Sequence, residues 1–347
     1  MKIPEADSTI QRIYRHYETQ ADNGFRPHLG ASLIGEPCSR SLWYSFHWCT
    51  AAGFDGRMLR LFETGQLAEA RFADNLRTAG VQVYEEDPQT GQQFRVTACD
   101  GHFGGSMDGV GLGFVEAPKT WHVIEMKTHS EKSFKELVNK GVEESKPRHF
   151  AQMQVYMHLA ENGPLKRAYY LAVNKNTDAL YGERVKYDKT KATALVNKAA
   201  AIIASDTPPE KIHQDPSWYQ CKFCDHAAVC HGQQAPVVNC RTCLHSTAIE
   251  NGEWHCARYD CLIPTEQQRK GCQSHLYLPD LLFGFAEPVD SGEYWIQYRL
   301  KSNGQLFVTG EAPEQLKSSE IRAVDQKELL TDPNVQTIRQ SFQATLI

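Results

Sequence analysis

Eight of the eleven cysteines in this 347-residue chain lie between Cys221 and Cys272. Disulfides are rare in cytosolic proteins, so clustered cysteines in such a protein are first interpreted as metal ligands. The amino-terminal segment lacks the apolar core of a signal peptide, and no stretch approaches the roughly 20 apolar residues that span a membrane. The sequence therefore predicts a cytoplasmic protein whose cysteine-rich region binds metal.

Composition narrows the functional classes. A hydrophobic content of 41% and a charged content of 23% are ordinary for a soluble globular protein, and the length allows two or three domains. The net charge of −5 argues against a purely electrostatic nucleic-acid binder. It does not exclude a nuclease, because an active site made of carboxylates is itself acidic.

Hydrophobic periodicity predicts a mixed α/β domain. Apolar residues recur at helical spacing in three segments, 58–79, 147–162 and 188–204. Strand character covers four segments, 82–87, 92–98, 121–127 and 169–175. The third of these is expected to form a hairpin with the strand around residue 110. Beyond residue 280, a hairpin that turns at Asn303-Gly304 and a helix over 313–330 predict a small α+β module.

Three residues form a candidate metal-and-water site. On a strand, Glu125 and Lys127 point to one face and Met126 to the other. Hairpin pairing would bring Asp108 beside Glu125, and two carboxylates with the Met126 carbonyl suit Mg²⁺ or Mn²⁺. Taken alone, the Glu-x-Lys triplet is equally typical of an exposed cross-strand pair, and Asp108-Gly109 is equally typical of a plain turn.

Four short motifs occur in a fixed order over residues 30–235: Gly65-x-x-x-Glu69, Asp108, Glu125-x-Lys127 and Gln152-x-x-x-Tyr156. In order and approximate spacing they resemble those of PD-(D/E)xK nucleases, in particular the RecB-like and lambda-exonuclease-like enzymes. Met107 stands where the family name has proline, which RecB-type members often lack.

This resemblance implies a restriction-endonuclease-like core, with a mixed sheet flanked by helices. It implies a catalytic set of Glu69, Asp108, Glu125, Lys127, Gln152 and Tyr156, with one or two Mg²⁺ or Mn²⁺ ions held by Glu69, Asp108, Glu125 and Met126. The expected activity is hydrolysis of DNA phosphodiester bonds, with 5′→3′ exonuclease action the expected polarity and a structure-specific endonuclease the alternative.

The first cysteine group is Cys221, Cys224 and Cys230, which needs a fourth ligand. Spacing alone favours zinc, with His226 or His231 completing the set. The resemblance to AddB-type and CRISPR-associated relatives instead implies a [4Fe–4S] cluster completed by Cys38, which would join the two ends of the nuclease domain. The isolated Cys49 and Cys99 are interpreted as small core or surface residues.

The second cysteine group contains five cysteines, one more than zinc requires. The favoured zinc ligands are Cys240, Cys243, Cys256 and Cys272, with Cys261 or His275 as the alternatives. Four thiolates leave no open coordination position, so this site is expected to be structural.

The sequence thus predicts a nuclease domain over 1–235, a zinc module over 236–280 and an α+β module over 281–347. The expected partner is DNA, its ends or single strands, with a recombination or replication protein as a possible second partner, in a phage or bacterium. Two other classes stay open: a non-catalytic DNA-binding scaffold with a nuclease fold, and an iron–sulfur redox protein. Basic residues between 132 and 148 either follow the DNA backbone or form a solvated helix surface: Lys132, Lys135, Lys140, Lys146 and Arg148.

Overall fold

A computed structural model describes residues 8–21, 25–51, 53–160, 163 and 165–347. Its α-helices are α1 (Thr9–Gln20), α2 (Ser39–Phe46), α3 (Gly56–Thr78), α4 (Glu131–Ser145), α5 (Pro147–Leu159), α6 (Lys189–Ile203), α7 (Tyr219–Lys222), α8 (Ala227–Cys230), α9 (Thr265–Lys270), α10 (Ser318–Ala323) and α11 (Pro333–Phe342). Short 3₁₀-helices occupy Cys240–Thr242, Glu250–Gly252, Pro279–Leu282 and Lys327–Leu330.

The strands are β1 (Leu29–Gly30), β2 (Gln82–Tyr84), β3 (Arg95–Ala98), β4 (Phe103–Ser106), β5 (Gly109–Leu112), β6 (His122–His129), β7 (Arg167–Asn174), β8 (Leu180–Lys186), β9 (Ser246–Ala248), β10 (Trp254–Cys256), β11 (Cys261–Leu262), β12 (Ala286–Gly292), β13 (Trp295–Leu300) and β14 (Leu306–Gly310). They form one five-stranded sheet and three three-stranded sheets.

The five-stranded sheet has the order β2-β5-β6-β7-β8. Within it β6 and β7 run parallel, and all other neighbours are antiparallel. The central strand β6 is buried over most of its length, because helices cover both faces of the sheet. This arrangement is the mixed α/β core that the periodicity predicted.

Side chains of β6 alternate between two hydrophobic cores. Ile124 and Met126 pack with Phe72 and Leu76 of α3. Val123 belongs to the larger core, which also contains Met153 of α5. Residues 125 and 127 therefore project from the side of the sheet opposite to Met126.

A second, smaller sheet has the order β1-β4-β3, and the chain crosses from it to the large sheet between β4 and β5. Met107 and Asp108 form this crossing. A carboxylate at such a crossing lies at the edge where two sheets meet, rather than on a flat sheet face. The crossing thus positions Asp108 beside β6.

The cysteine-rich region contains the meander β9-β10-β11, and the carboxy-terminal region contains the antiparallel sheet β12-β13-β14. One continuous cluster of buried apolar side chains runs from Leu29 through Trp254 to Leu330. The three predicted modules thus share a core, and the boundaries at 236 and 281 stay predictions.

Most predicted elements are confirmed within a few residues, including the cap of α6, where Asp188 accepts a hydrogen bond from the Lys191 N–H. Residues 161 and 162 of one predicted helix lie outside the described residues. The predicted helix over 313–330 is confirmed only in part: α10 covers Ser318–Ala323 and ends where Val324 turns extended. The buried Lys327 ammonium donates to the carbonyls of Ile321 and Val324, which stabilises this ending.

No helix in the described part of the chain is long and apolar enough to cross a membrane.

A buried ion pair joins the last two α-helices of the carboxy-terminal module, between Glu320 of α10 and Arg339 of α11. Their side chains are 1% and 6% exposed, and both carboxylate oxygens accept from the guanidinium at 2.8 Å. The backbone N–H groups of Lys317 and Leu346 also donate to this carboxylate. Burial opposes the charge on Glu320, but these donors together hold its pKa below the usual range.

We predict that Glu320→Ala lowers the free energy of unfolding by about 3–5 kcal/mol, because it leaves a buried guanidinium unpaired. Urea denaturation followed by circular dichroism measures this loss. The double variant Glu320→Leu/Arg339→Met should recover most of it. Because the pKa is lowered, the pair's contribution is complete above the ordinary glutamate pKa and is lost as pH falls through the folded value. Equal stability of Glu320→Ala and the parent would contradict the prediction.

Candidate active site

Glu125 and Lys127 project from β6 to the same side, as the strand alternation predicted. Glu125 has no exposed surface, and neither of its carboxylate oxygens accepts a hydrogen bond. The Lys127 ammonium contacts Glu125 Oε1 at 2.5 Å as an ion pair outside hydrogen-bonding geometry. A carboxylate buried in this way needs a positive charge beside it.

Lys127 Nζ lies among three oxygens. It is 2.5 Å from Glu125 Oε1, 3.3 Å from Asp108 Oδ2 and 2.9 Å from the main-chain oxygen of Met126. These oxygens come from three of the four residues that the sequence assigned to the divalent cation. The ammonium therefore occupies the place where a cation of higher charge would be bound.

Asp108 reaches this cluster through the pairing of β5 with β6, in which Gly109 is opposite Ile124. Its Oδ2 accepts the Met126 N–H at 2.8 Å. The predicted hairpin and the predicted approach of Asp108 to Glu125 are both confirmed.

The electrostatics of the cluster are strongly coupled. Burial raises the pKa of Glu125 to about 7; Lys127 opposes this shift, and the Asp108 carboxylate adds to it. Burial alone would lower the pKa of Lys127, but Glu125 and Asp108 together raise it well above its usual value. Without a metal ion, the lysine is thus held as a cation by the two acids.

Glu69 approaches the cluster from α3, a helix capped by the Asp55 side chain. Glu69 is half-buried, and burial followed by repulsion from Asp108 raises its pKa. One turn earlier, a Cβ at Gly65 would lie 4.0 Å from Thr128 Oγ1 near the end of β6. The Gly-x-x-x-Glu motif therefore lies over the carboxyl end of β6.

Gln152 and Tyr156 share one face of α5, as their spacing predicted. Gln152 Nε2 donates to Tyr156 Oη at 3.1 Å, and Tyr156 Oη donates to the Ser106 carbonyl at 2.7 Å. Burial, and then the nearby Glu125 carboxylate, raises the pKa of Tyr156, so its hydroxyl stays protonated. Both side chains are buried, and they attach α5 to the strand that leads to Asp108.

Sequence reasoning missed a polar group beside Lys127. Tyr170, opposite Glu125 in the parallel β6–β7 register, has its hydroxyl 2.8 Å from His129 Nε2 and 2.8 Å from His149 Nδ1. Burial lowers the pKa of His129 to about 4 and that of His149 to about 3, so both rings are neutral near pH 7. His149 precedes Gln152 by about one helical turn, so helical spacing could have placed it near the site. The position of Tyr170 could not be predicted in this way, because it depends on the parallel pairing of β6 with β7.

Among the described residues, no three histidine, cysteine, aspartate or glutamate side chains are already arranged to hold one ion. In the cluster of Glu125 and Asp108, Lys127 Nζ lies between the two acids. The donor set nevertheless fits Mg²⁺ or Mn²⁺, because it consists of oxygens and includes a buried carboxylate without hydrogen bonds.

Residues 51–231, just over half of the chain, match the family described as the PD-(D/E)XK nuclease superfamily. The chain belongs to this superfamily. The match includes every proposed catalytic residue, from Glu69 to Tyr156. No curated protein matches the chain at a significant level.

Similar solved structures include an alkaline exonuclease, LHK-Exo, from Laribacter hongkongensis, at 16% identity and a TM-score of 0.35, covering 55% of this chain and 91% of that one. The same enzyme in complex with dAMP matches at 14% identity and a TM-score of 0.34, covering 56% and 90%. A protein described as SSO0001 matches at 12% identity and a TM-score of 0.37, covering 65% and 96%. These TM-scores are too low to support an argument about this chain.

The predicted iron–sulfur ligands lie around one pocket, although Cys38 is distant in sequence from Cys221, Cys224 and Cys230. Cys38 immediately precedes α2, and the other three lie on or between α7 and α8. Burial raises the pKa of Cys221, and the Cys230 and Cys38 thiols raise it further.

The alternative ligand His226 has both ring nitrogens engaged. Its Nε2 lies 2.9 Å from Ser45 Oγ, and its Nδ1 lies 2.6 Å from Thr50 Oγ1. To bind a metal, the ring would have to break one of these hydrogen bonds. His231 also lines the pocket, so it is the alternative that the geometry leaves open.

Four of the five basic residues between 132 and 148 pair with acidic neighbours. Lys135 pairs with Glu131, Lys140 with Glu136 and Glu144, Lys146 with Glu136, and Arg148 with Glu36. Exposed pairs of this kind are typical of a solvated helix surface. This geometry favours that interpretation over a DNA path along α4.

Gly105 makes room for Tyr156, and we predict that Gly105→Ala disrupts this contact. An added Cβ would lie 2.7 Å from Tyr156 Oη and 3.2 Å from its Cε1, so the ring must shift away from Ser106. We expect a lower melting temperature and a loss of any cleavage activity.

A double-variant cycle with Tyr156→Phe tests the cause. Removing the hydroxyl removes the closest clash, so Gly105→Ala should cost less stability in that background. Additive losses would show that Gly105 matters for another reason.

Proposed function

We propose that this protein is a metal-dependent deoxyribonuclease that hydrolyses DNA phosphodiester bonds and leaves 5′-phosphates. The observation that carries the proposal is the convergence of Glu125 Oε1, Asp108 Oδ2 and the Met126 carbonyl around one cationic nitrogen. Membership of the PD-(D/E)XK superfamily supports the same chemistry.

The proposed cation ligands are Asp108, Glu125, the Met126 carbonyl and Glu69. A divalent ion bound there would polarise the scissile phosphate and lower the pKa of a bound water. Glu125 would be ionised by such an ion, although burial raises its pKa in the metal-free protein.

Lys127 has the second role. A divalent ion held by the carboxylates would free the Lys127 ammonium from them, and the ammonium would stay within one side-chain length of the site. Its side chain is 27% exposed, so it has access to a phosphate oxygen and to the attacking water. It would align that water and offset charge on the phosphate in the transition state.

Gln152 and Tyr156 would act by holding Asp108 in place rather than by contacting the DNA. Their hydrogen bonds to each other and to Ser106 hold the crossing between the two sheets against α5, and Asp108 lies two residues after Ser106. We assign Tyr156 as a positioning residue for Asp108, and Gln152 as a positioning residue for Tyr156.

The finer features of the proposal rest on the motif resemblance. They are exonuclease action with 5′→3′ polarity and a role in recombination, replication or DNA-end processing. A location in the cytoplasm is a further part of the proposal and does not rest on the motifs. The competing scaffold function would be favoured by loss of a catalytic residue, but Glu69, Asp108, Glu125 and Lys127 are all present.

We predict that the purified protein cleaves end-labelled DNA only with Mg²⁺ or Mn²⁺, and that Lys127→Ala lowers the rate roughly 100-fold or more, because it removes charge stabilisation in the transition state. Gel analysis of the products against time measures the rate and shows whether they shorten from one end. The Asp108→Asn protein should be similarly inactive, although it should fold like the parent.

Lys140→Ala is the matched control, because Lys140 lies on the surface of α4 and pairs only with glutamates of its own helix. DNA binding without metal-dependent cleavage, equal in the parent and in Lys127→Ala, would refute the enzyme and favour the scaffold.

We also propose a [4Fe–4S] cluster on Cys38, Cys221, Cys224 and Cys230. Support comes from the shared pocket and from sulfur ligands that suit such a cluster. The cluster would link α2 to the chain after α6, closing the nuclease domain. Zinc in the second cysteine group is a separate proposal that does not bear on cleavage chemistry.

Anaerobic purification should give a brown protein with about four iron atoms and four sulfides per chain. Cys38→Ser should lose the colour and the iron, because it removes one ligand of the cluster. Cys99→Ser should retain both, since Cys99 does not line the pocket. A colourless parent protein that contains only zinc would refute the cluster and leave the nuclease assignment intact.

A further inference from the structure

The second cysteine group surrounds a pocket of its own. Four of its five thiols line that pocket: Cys240, Cys243, Cys256 and Cys272. They come from a 3₁₀-helix, from β10 and from the chain just after α9. The fifth, Cys261, lies opposite Cys256 in the antiparallel register of β10 and β11. It is exposed and does not line the pocket.

The surroundings also suit the charge that a four-thiolate site would carry. Four thiolates around one divalent ion leave a net charge of about −2. Arg258 lines the same pocket and interacts with Cys272. Its guanidinium also pairs with Glu311 of the carboxy-terminal module at 3.1 and 3.2 Å.

Between the first two cysteines, Arg241 is 1% exposed and enters the nuclease domain. Its guanidinium carbon lies 3.7 Å from the centre of the Trp48 ring and 4.7 Å from that of Trp254. Its nitrogens donate to the carbonyls of Phe46 and Pro27. We call this group of aromatic rings and carbonyls the Arg241 cage.

Among the described residues, no carboxylate contacts the Arg241 guanidinium. Its third hydrogen-bond partner is the Gln268 side-chain oxygen of α9, at 2.9 Å. A buried cation is costly to desolvate, and neutral groups offset that cost only while they keep their geometry around it. Arg241 lies inside the Cys-x-x-Cys loop, so a metal ion on Cys240 and Cys243 would fix its backbone on both sides.

We propose that Cys240, Cys243, Cys256 and Cys272 form a closed, structural Zn²⁺ site that holds Arg241 in its cage, so that zinc binding stabilises the nuclease core itself. On binding, the four thiols give up their protons to solvent and form four Zn–S bonds. The segment stabilised is 25–48, which contains Pro27, α2 and Trp48. The proposal is independent of cleavage activity.

Metal content tests the ligands. Elemental analysis of the full-length protein, purified anaerobically, should show about one zinc per chain beyond any iron. Cys272→Ser should lose this zinc, and Cys261→Ser should retain it. Cobalt exchanged into the parent should give intense thiolate-to-metal absorption that falls in Cys272→Ser only. No zinc in the parent, or zinc lost in Cys261→Ser and kept in Cys272→Ser, would overturn the site.

His275 is the remaining rival ligand, because its Nδ1 is buried without a partner and it lines the pocket. Its other ring nitrogen lies 3.1 Å from Thr242 Oγ1. If His275→Asn retains its zinc, the assignment of four thiolate ligands is supported. If it folds normally and loses its zinc, that assignment is overturned.

The link to Arg241 is tested without relying on any variant that fails to fold. Removal of zinc from the parent by a chelator should increase amide hydrogen exchange in 25–48 as well as in 240–275. An increase confined to 240–275 would overturn the link. Chelation should also lower the melting temperature of the parent by several degrees.

Arg241→Met should keep its zinc but melt at a lower temperature than the parent. Chelation should then lower its melting temperature by much less than in the parent, since the contact that zinc supports is already gone. Arg299→Met is the matched control, because Arg299 forms an exposed pair with Glu287. It should respond to chelation as the parent does, and equal responses in all three proteins would refute the coupling.

Discussion

The candidate active site depends on the contact between a fully buried carboxylate, Glu125, and the ammonium of Lys127, two residues along the same strand. Removing both charges from water costs several kcal/mol per ion, even after relaxation of the surroundings. The chain tolerates this because Asp108 and the Met126 carbonyl share the ammonium. In the proposed mechanism, a metal ion would replace the lysine in this oxygen cluster, and the ammonium would then be free to act on the phosphate.

Arg241 poses the opposite problem, a buried cation, and the fold solves it differently. Here the positive charge faces aromatic rings and main-chain carbonyls instead of acids. Aromatic faces can stabilise a guanidinium, but only while their geometry is held. At the active site the charges can rearrange around a metal ion, whereas the Arg241 cage requires a fixed backbone. This difference explains why the open oxygen cluster suits catalysis and the closed cysteine group suits structure.

The sequence indicated the residues of the site better than their surroundings. Strand alternation placed Glu125 and Lys127 on one face, and helical spacing placed Gln152 beside Tyr156, because both relations are local. Tyr170 was missed, since its place opposite Glu125 depends on the parallel register of β6 and β7. The helix over 313–330 was confirmed only in part for a similar reason: Lys327 folds back onto the carbonyls of Ile321 and Val324, a contact that periodicity does not encode.

Helix α2 connects the two cysteine groups through its ends. Cys38 immediately precedes its first residue beside the first group, and the Phe46 carbonyl at its last residue accepts from Arg241 beside the second. Its middle is buried, and Trp43 Nε1 donates to the Ser205 carbonyl just after α6. No proposed catalytic residue lies on α2. Metal bound at either group would therefore affect the proposed cleavage only through the packing of this helix, whereas the roles proposed for Lys127 and Asp108 are direct ones in the phosphate chemistry.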